Sequence, residues 1–249
     1  MSLSVVLATF NEEDNLPACL DSVKDLADEI VIVDGSSKDK TVEIAKQHEA
    51  KVKITTNKPI FHINKQTAID MATREWILQL DADERITAEL AREIKSKMQN
   101  QKSEINGYWI PRKNWFLGRF LMKGGVYPDY TLRLYKRGKG KLPQKDVHEQ
   151  AVVEGETGYL ENPLIHMADQ KFSRYLLRWN RYVNLTTDEL RQKKLGLFAP
   201  VDYLLIKPIW WFLLTYIRHK GFLDSWQGFI FSFFSALRFP VAYMRLVKA

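Results

Sequence analysis

Trp76-Ile-Leu-Gln-Leu-Asp-Ala-Asp-Glu-Arg85 decides the fold. Residues 76–80 are mostly apolar and run straight into Asp81, Asp83 and Glu84. A short apolar run closed by polar residues reads as a strand buried on both faces, the kind found in parallel sheets covered by helices. The carboxylates then stand at the strand's carboxyl end, where an open α/β sheet keeps its binding crevice. Asp81 and Asp83 are two positions apart and share a face if the strand continues. If the chain bends there, both converge on one divalent cation, Mg²⁺ or Mn²⁺, because hard cations favour carboxylate oxygens. A lone D-x-D triplet is more often a solvated turn. The buried strand before it and the strand ends upstream favour ligand chemistry here.

Working outward, residues 4–10 form a first strand rich in β-branched side chains. Asn11-Glu-Glu-Asp14 follows, with Asn11 placed to cap a helix on which Leu16, Leu20 and Val23 recur at helical spacing. Residues 30–33 are a second strand, ended by Asp34-Gly-Ser-Ser-Lys-Asp39, a loop of turn residues. Residues 41–50 read as a helix, 52–55 as a third strand, and 63–75 and 88–99 as further helices. Such alternation implies a parallel sheet with right-handed crossovers. Residues 107–116 and 130–136 add two strands around a glycine-rich connection. Asp146-Val-His-Glu149 and Leu164-Ile-His-Met167 are polar points in apolar surroundings.

The net charge of +7 calls for an anionic partner. Cys19 is the one cysteine, which leaves no disulfide framework and fits a reducing compartment. The first ten residues lack the basic n-region and cleavage site of a signal peptide. Two regions are expected: residues 1–168 as the catalytic domain, and 169–249 as a basic, aromatic helical extension. From position 200 on, six basic residues stand against two acidic ones, among apolar runs at 208–217 and 225–237. Neither run reaches the roughly 20 residues of a membrane span. Aromatic, apolar and basic together is the mark of helices lying in a bilayer interface; the other cover for such a surface is the domain itself or a second copy of the chain. No nucleic-acid reader motif is present, so nucleic acid is not an expected partner.

Thr9-Phe-Asn-Glu-Glu-Asp-Asn-Leu16, Val33-Asp-Gly-Ser-Ser-Lys-Asp-Lys-Thr41 and Leu80-Asp-Ala-Asp-Glu84 together resemble the nucleotide-sugar motifs of family 2 glycosyltransferases. Residues 128–137, 146–149 and Lys220-Gly-Phe-Leu-Asp-Ser-Trp226 resemble the branch containing lipopolysaccharide inner-core β-1,4-glucosyltransferases. The resemblance implies the GT-A fold, an α/β, Rossmann-like, mostly parallel sheet with helices on both faces. It implies inverting transfer of a hexose, glucose from UDP-glucose, onto a lipid-linked saccharide such as lipopolysaccharide core heptose. The place implied is the cytoplasmic, inner face of a membrane, held peripherally. A polyprenyl-phosphate glycosyltransferase and a catalytically silent membrane-bound scaffold are the alternatives.

By the same resemblance, Asp34 meets the uracil, and Thr9, Asn11 and Glu12 line the uridine pocket. Asp81 reaches the ribose and, with Asp83, the metal; His166 is a further metal or phosphate contact. Lys65 and Arg133 are diphosphate partners, although Lys65-Gln66 replaces the family's usual Arg-Asn pair. Glu149 is the expected general base, with Asp146 second and Asp129 third. Trp109 and Trp115 are candidates for stacking on sugars, with burial as their ordinary role.

Overall fold

Leu3, Val5 and Leu7 fall to one side of the first strand and Val6 to the other, and all four are buried. Helices must therefore cover both faces of the sheet that contains it. The computed structural model describes residues 1–58, 60–100, 104–143 and 150–248. They fall into two units, Met1–Arg112 with Asp129–His166, and Lys113–Pro128 with Met167–Ala249.

The first unit runs β1 (Leu3–Thr9), α1 (Leu16–Val23), β2 (Glu29–Asp34), α2 (Thr41–Gln47), β3 (Lys51–Ile54), α3 (His62–Met71), β4 (Trp76–Gln79), β5 (Glu84–Ile86) and α4 (Ala88–Gln99). Then come β6 (Gly107–Phe116), β7 (Arg119–Phe120), β8 (Asp129–Lys136), β9 (Gly140–Lys141), β10 (Val152–Val153), β11 (Thr157–Tyr159) and β12 (Leu164–Asp169), with β7 and the last residues of β6 and β12 belonging to the second unit. The main sheet is ordered β3-β2-β1-β4-β8-β6-β12-β5, with β11 and β7 also on β6. β3, β2, β1 and β4 are parallel, and β8 joins β4 antiparallel. Apolar residues of α1 and α4 pack on the face that carries Leu3, Val5 and Leu7; those of α3 pack on the Val6 face. The fold expected from the strand–helix alternation is thus present.

Chain order reverses direction across the sheet between β1 and β4. In open α/β sheets this switch point, at the carboxyl ends of the strands, is where ligands are held. Thr9 and Asp34 end β1 and β2 there, and Asp81 follows β4.

One expectation about local structure changes. Asn11 does not cap α1: that helix begins at Leu16 with Asn15 at the N-cap, and Asn11 takes a left-handed backbone with φ of 54°. β3, the edge strand, is mostly exposed.

The second unit is helical. α5 (Phe172–Arg191) is followed by α6 (Ala199–Val201), a π-helical turn Asp202–Ile206, α7 (Lys207–Phe212), a second π-helical stretch Leu213–Arg218 and a 3-10 turn Gly221–Asp224. α8 (Ser225–Lys248) closes the chain and packs along α5 and α7. Its buried stripe includes Gly228, Ser232 and Ala236, small residues one turn apart that let helices approach closely. A Cβ on Gly228 would lie 1.9 Å from the Gly221 carbonyl oxygen. Buried Asp224 accepts the backbone N–H groups of Met122 (2.9 Å) and Lys123 (2.6 Å), fastening the loop after β7. The apolar tail forms longer helix than its separate runs imply: Gly221–Lys248 is long and apolar enough to cross a membrane by length and composition. It lies, however, along α5, whose exposed face carries several charges, and Arg245 bonds to Asn180 and Asn184 of that helix.

Glu29, at the amino end of β2, ties the opposite edge of the sheet. Its buried carboxylate accepts from Ser4, from the Lys51 ammonium, and from the N–H and hydroxyl of Thr73. Burial alone would raise its pKa; the Lys51, Ser4 and Thr73 bonds outweigh burial and lower it from 4.5 to about 2. The charged form is favoured by folding, so this stability is complete above pH 4.5 and is lost as pH falls towards 2. Glu29→Gln should cost about 1–3 kcal/mol in urea unfolding at pH 7. The gap from wild type should narrow between pH 5 and pH 3; a gap that stays constant over that range contradicts the assignment.

Candidate active site

The loops after β1 and β2 are laced together. Asp34 Oδ2 accepts from Thr9 Oγ1 at 2.9 Å and from Ser37 Oγ at 2.6 Å, while Oδ1 accepts the Ser37 N–H at 2.8 Å. The Asn11 N–H donates to Ser37 Oγ at 2.8 Å, and its side-chain oxygen accepts from the Lys38 N–H at 2.9 Å. That bridge explains the left-handed backbone at Asn11, which Asn tolerates better than most residues. The Glu12 N–H donates to Thr41 Oγ1 at 2.8 Å. Thr9, Asn11, Glu12 and Asp34 are therefore gathered in one place. Asp34 is fully buried, so it forms the floor of this loop pair and not its rim.

Beside them runs a chain of alternating charges. Asp81 pairs through Oδ1 with Lys65 on α3 and through Oδ2 with Arg133 on β8, at 2.6 Å. Arg133 also meets Glu84 Oε1 at 2.9 Å. Glu84 is fully buried, accepts the Asp81 N–H at 2.9 Å, and lies 3.6 Å from Arg112 on β6. Arg112 in turn holds Asp129 with Nε at 2.9 Å and a terminal nitrogen at 2.7 Å. Three cations and three anions balance.

Arg133 reaches this position through an irregularity in the sheet. The β6–β8 register steps from Tyr108↔Leu134 to Trp109↔Leu132, leaving Arg133 as the extra residue. Such a bulge re-aims a side chain at the expense of one ladder position.

The charges fix one another. Burial would raise the Asp81 pKa, but the Arg133 and Lys65 charges hold it well below the usual carboxylate range. Burial would lower that of Arg133, but Asp81 and Glu84 raise it. For Lys65 burial prevails and lowers the pKa, although Asp81 opposes it.

The acidic triplet itself divides. Asp81 turns to the cations, while Asp83 Oδ1 lies 3.6 Å from His166 Nε2. β12 pairs antiparallel with β5, setting His166 opposite Glu84, and this register carries a histidine from far along the chain to the triplet. Among the described residues no group of three or more His, Cys, Asp or Glu side chains is arranged to hold a metal. Of the residues expected at the metal, Asp83 and His166 come together, and Asp81 stands next to them with both oxygens bonded to cations. Glu149 and Asp146, the expected base and its runner-up, lie outside the described residues. Asp129 is present and bound to Arg112. Glu84 and Arg112 were not singled out as functional, although Glu84 stands in the opening stretch and Arg112 is a charge inside a strand; their pairing across β5, β6 and β8 has no local signal.

The charged cluster thus stands at the switch point of an open α/β sheet, the place where such sheets hold ligands. The sequence profile described as Glycosyl transferase family 2 matches residues 4–152. The chain belongs to that family. It is 30% identical over 257 residues to the lipopolysaccharide core biosynthesis glycosyltransferase LpsC of Rhizobium meliloti, covering 96% of this chain and 92% of that protein. An uncharacterized glycosyltransferase of Rickettsia typhi is 26% identical over 99% of this chain and 86% of its own length. Among solved structures, S. aureus TarS 1–349 in complex with UDP superposes with a TM-score of 0.50 at 16% identity, covering 90% of this chain and 75% of that one. At that identity the likeness is one of fold.

Removing one member of a buried ion group leaves its partners uncompensated, which costs roughly 3–5 kcal/mol. Arg133→Met should be destabilised by about that much in urea unfolding, with part recovered in the double variant Arg133→Met/Glu84→Gln. Additivity of the two single effects to within about 0.3 kcal/mol would show that the two side chains do not interact.

Proposed function

We propose that the protein is an inverting, metal-dependent glycosyltransferase that moves a hexose from a UDP-sugar, glucose from UDP-glucose by the sequence expectation, onto a lipid-linked saccharide. The observation that carries this reading is the meeting of Asp83, His166, Asp81, Lys65 and Arg133 beside the Thr9–Asp34 loop pair at the sheet's switch point. Asp83 and His166, 3.6 Å apart, would hold the divalent cation. The cation supplies Lewis-acid neutralisation of the charge that develops on the departing diphosphate. Lys65 and Arg133 are the nearest fixed positive charges for that diphosphate, and in its absence Asp81 neutralises them. Thr9, Asn11, Glu12 and Asp34 shape the uridine side. Glu149, with Asp146 as second choice, takes the proton from the attacking hydroxyl. Attack opposite the leaving UDP inverts the anomeric centre.

The name of the Rhizobium relative supports a lipopolysaccharide core saccharide as acceptor. The second unit supports a membrane surface as the place of reaction. Phe198, Ile206, Trp210, Leu213, Phe222 and Trp226 are all exposed, and Lys207, Arg218 and Lys220 lie in the same stretch. Such a face suits the boundary between acyl chains and anionic headgroups, where each cation adds about 1 kcal/mol. α8 then lies in that plane alongside charged α5, at the cytoplasmic face.

Three outcomes test this. Asp83→Ala should abolish Mn²⁺-dependent UDP binding in calorimetry, and unchanged affinity with Mn²⁺ refutes the metal assignment. Glu149→Gln should bind UDP normally and lose transfer by roughly 10²-fold or more, the scale of general-base catalysis; near-normal turnover transfers the role elsewhere. Ile206→Asp/Trp210→Asp should free the full-length protein from anionic liposomes in sedimentation, and persistent pelleting counts against the interfacial face.

A further inference from the structure

Three aromatic rings lie together across neighbouring strands of the first unit. Trp109 on β6 stacks with Tyr159 on β11, their centroids 6.3 Å apart and planes 18° apart. Tyr130 on β8 meets Tyr159 edge-on, 5.0 Å away. The cluster follows from the strand register: Tyr159 sits opposite Trp109 in the parallel β11–β6 pair, and Tyr130 sits opposite Pro111 in the antiparallel β6–β8 pair. Trp109 packs beneath against the cluster containing Leu132 and Ala151. Its indole N–H donates to Thr157 Oγ1 at 3.2 Å, which fixes the ring's rotation. Tyr159 is 59% exposed and Tyr130 37%. Burial is therefore not what the two tyrosines are placed for.

A patch of flat rings with polar groups at its border fits one class of ligand well. A pyranose presents an apolar face of C–H groups and a perimeter of hydroxyls. The rings offer the matching π faces, two phenol hydroxyls and the Thr157 hydroxyl. The patch shares strand β8 with the candidate active site. Tyr130 is three residues from Arg133 on β8, and Gln150 Oε1 accepts the Leu132 N–H between them at 3.3 Å. We propose that Trp109, Tyr130 and Tyr159 form a stacking platform for a sugar ring of the acceptor saccharide. This rests on the glycosyltransferase reading above and extends it to how the acceptor is held. Donor binding does not use the platform.

The test is saturation-transfer NMR on the full chain, with lipid-free lipopolysaccharide core oligosaccharide as probe and UDP–Mn²⁺ calorimetry run in parallel. Irradiating the aromatic protons of the wild type should saturate the sugar C–H protons. Tyr159→Ala should reduce that transfer at least fivefold and raise the acceptor KM about tenfold, with UDP affinity unchanged. Tyr159→Phe, which keeps the ring, should behave as wild type. Because Tyr159 is exposed, its removal should leave thermal unfolding unchanged, and Trp109→Phe serves as a second, milder variant. Overturning results are a wild type that binds UDP but shows no transfer to the oligosaccharide, or a Tyr159→Ala protein with an unaltered acceptor KM. A chain that dimerises through this patch, and becomes monomeric on Tyr159→Ala without any change in saccharide signal, overturns it as well. Failure of UDP binding would instead refute the donor assignment, and the oligosaccharide signal would still decide the platform.

Discussion

The structure depends on keeping charge inside a sheet. Glu84, Arg133 and Lys65 are buried and Asp81 is partly so, and moving such groups out of water costs several kcal/mol per ion. The cost is tolerable only in strict alternation, each carboxylate between cations and each cation against a carboxylate. That requirement sets the neighbourhood. α3 must deliver Lys65, β8 must deliver Arg133 through its bulge, β6 must deliver Arg112, and the chain after β4 must bend so that Asp81 and Glu84 are both within reach. An apolar core of equal volume would be as stable or more so. On the proposed function, the charges are held ready for a ligand that is itself charged.

How much of this was legible varies with the range of the interaction. β1, β2 and β4 announce themselves as apolar runs, and their polar closing residues, Thr9, Asp34 and Asp81, stand where the runs end. The loop pairing of Thr9 with Asp34 follows from two adjacent parallel strands. Asn11 misled because residue type and position suit a cap, whereas the contact that wins, to Ser37 and Lys38, comes from a different loop. The bulge at Arg133 depends on a register between strands and leaves no mark in either strand alone. His166 was visible as a lone histidine, but its meeting with Asp83 required knowing that β12 lies beside β5. The second apolar run of the sequence, 225–237, stops before charged Arg238; in the helix that guanidinium lies over Trp211 and Phe239, and the helix continues through it.

The second unit follows a different economy. Its helices meet through small side chains and aromatic edges, Trp179 donates its indole N–H to the Phe234 carbonyl at 2.7 Å, and large apolar groups are left outside. Trp210 and Ile209 are among them, whereas Trp76 and Ile77 of the first unit are buried.

The bulge in β8 has an evolutionary corollary. Losing one residue from that strand would heal the ladder with β6 and restore regular alternation there. It would also withdraw the guanidinium from Asp81 and Glu84. A regular ladder and retention of this ion-pair chain therefore pull in opposite directions at a single codon, so the length of this strand, more than the identity of its residues, is what holds the charges together.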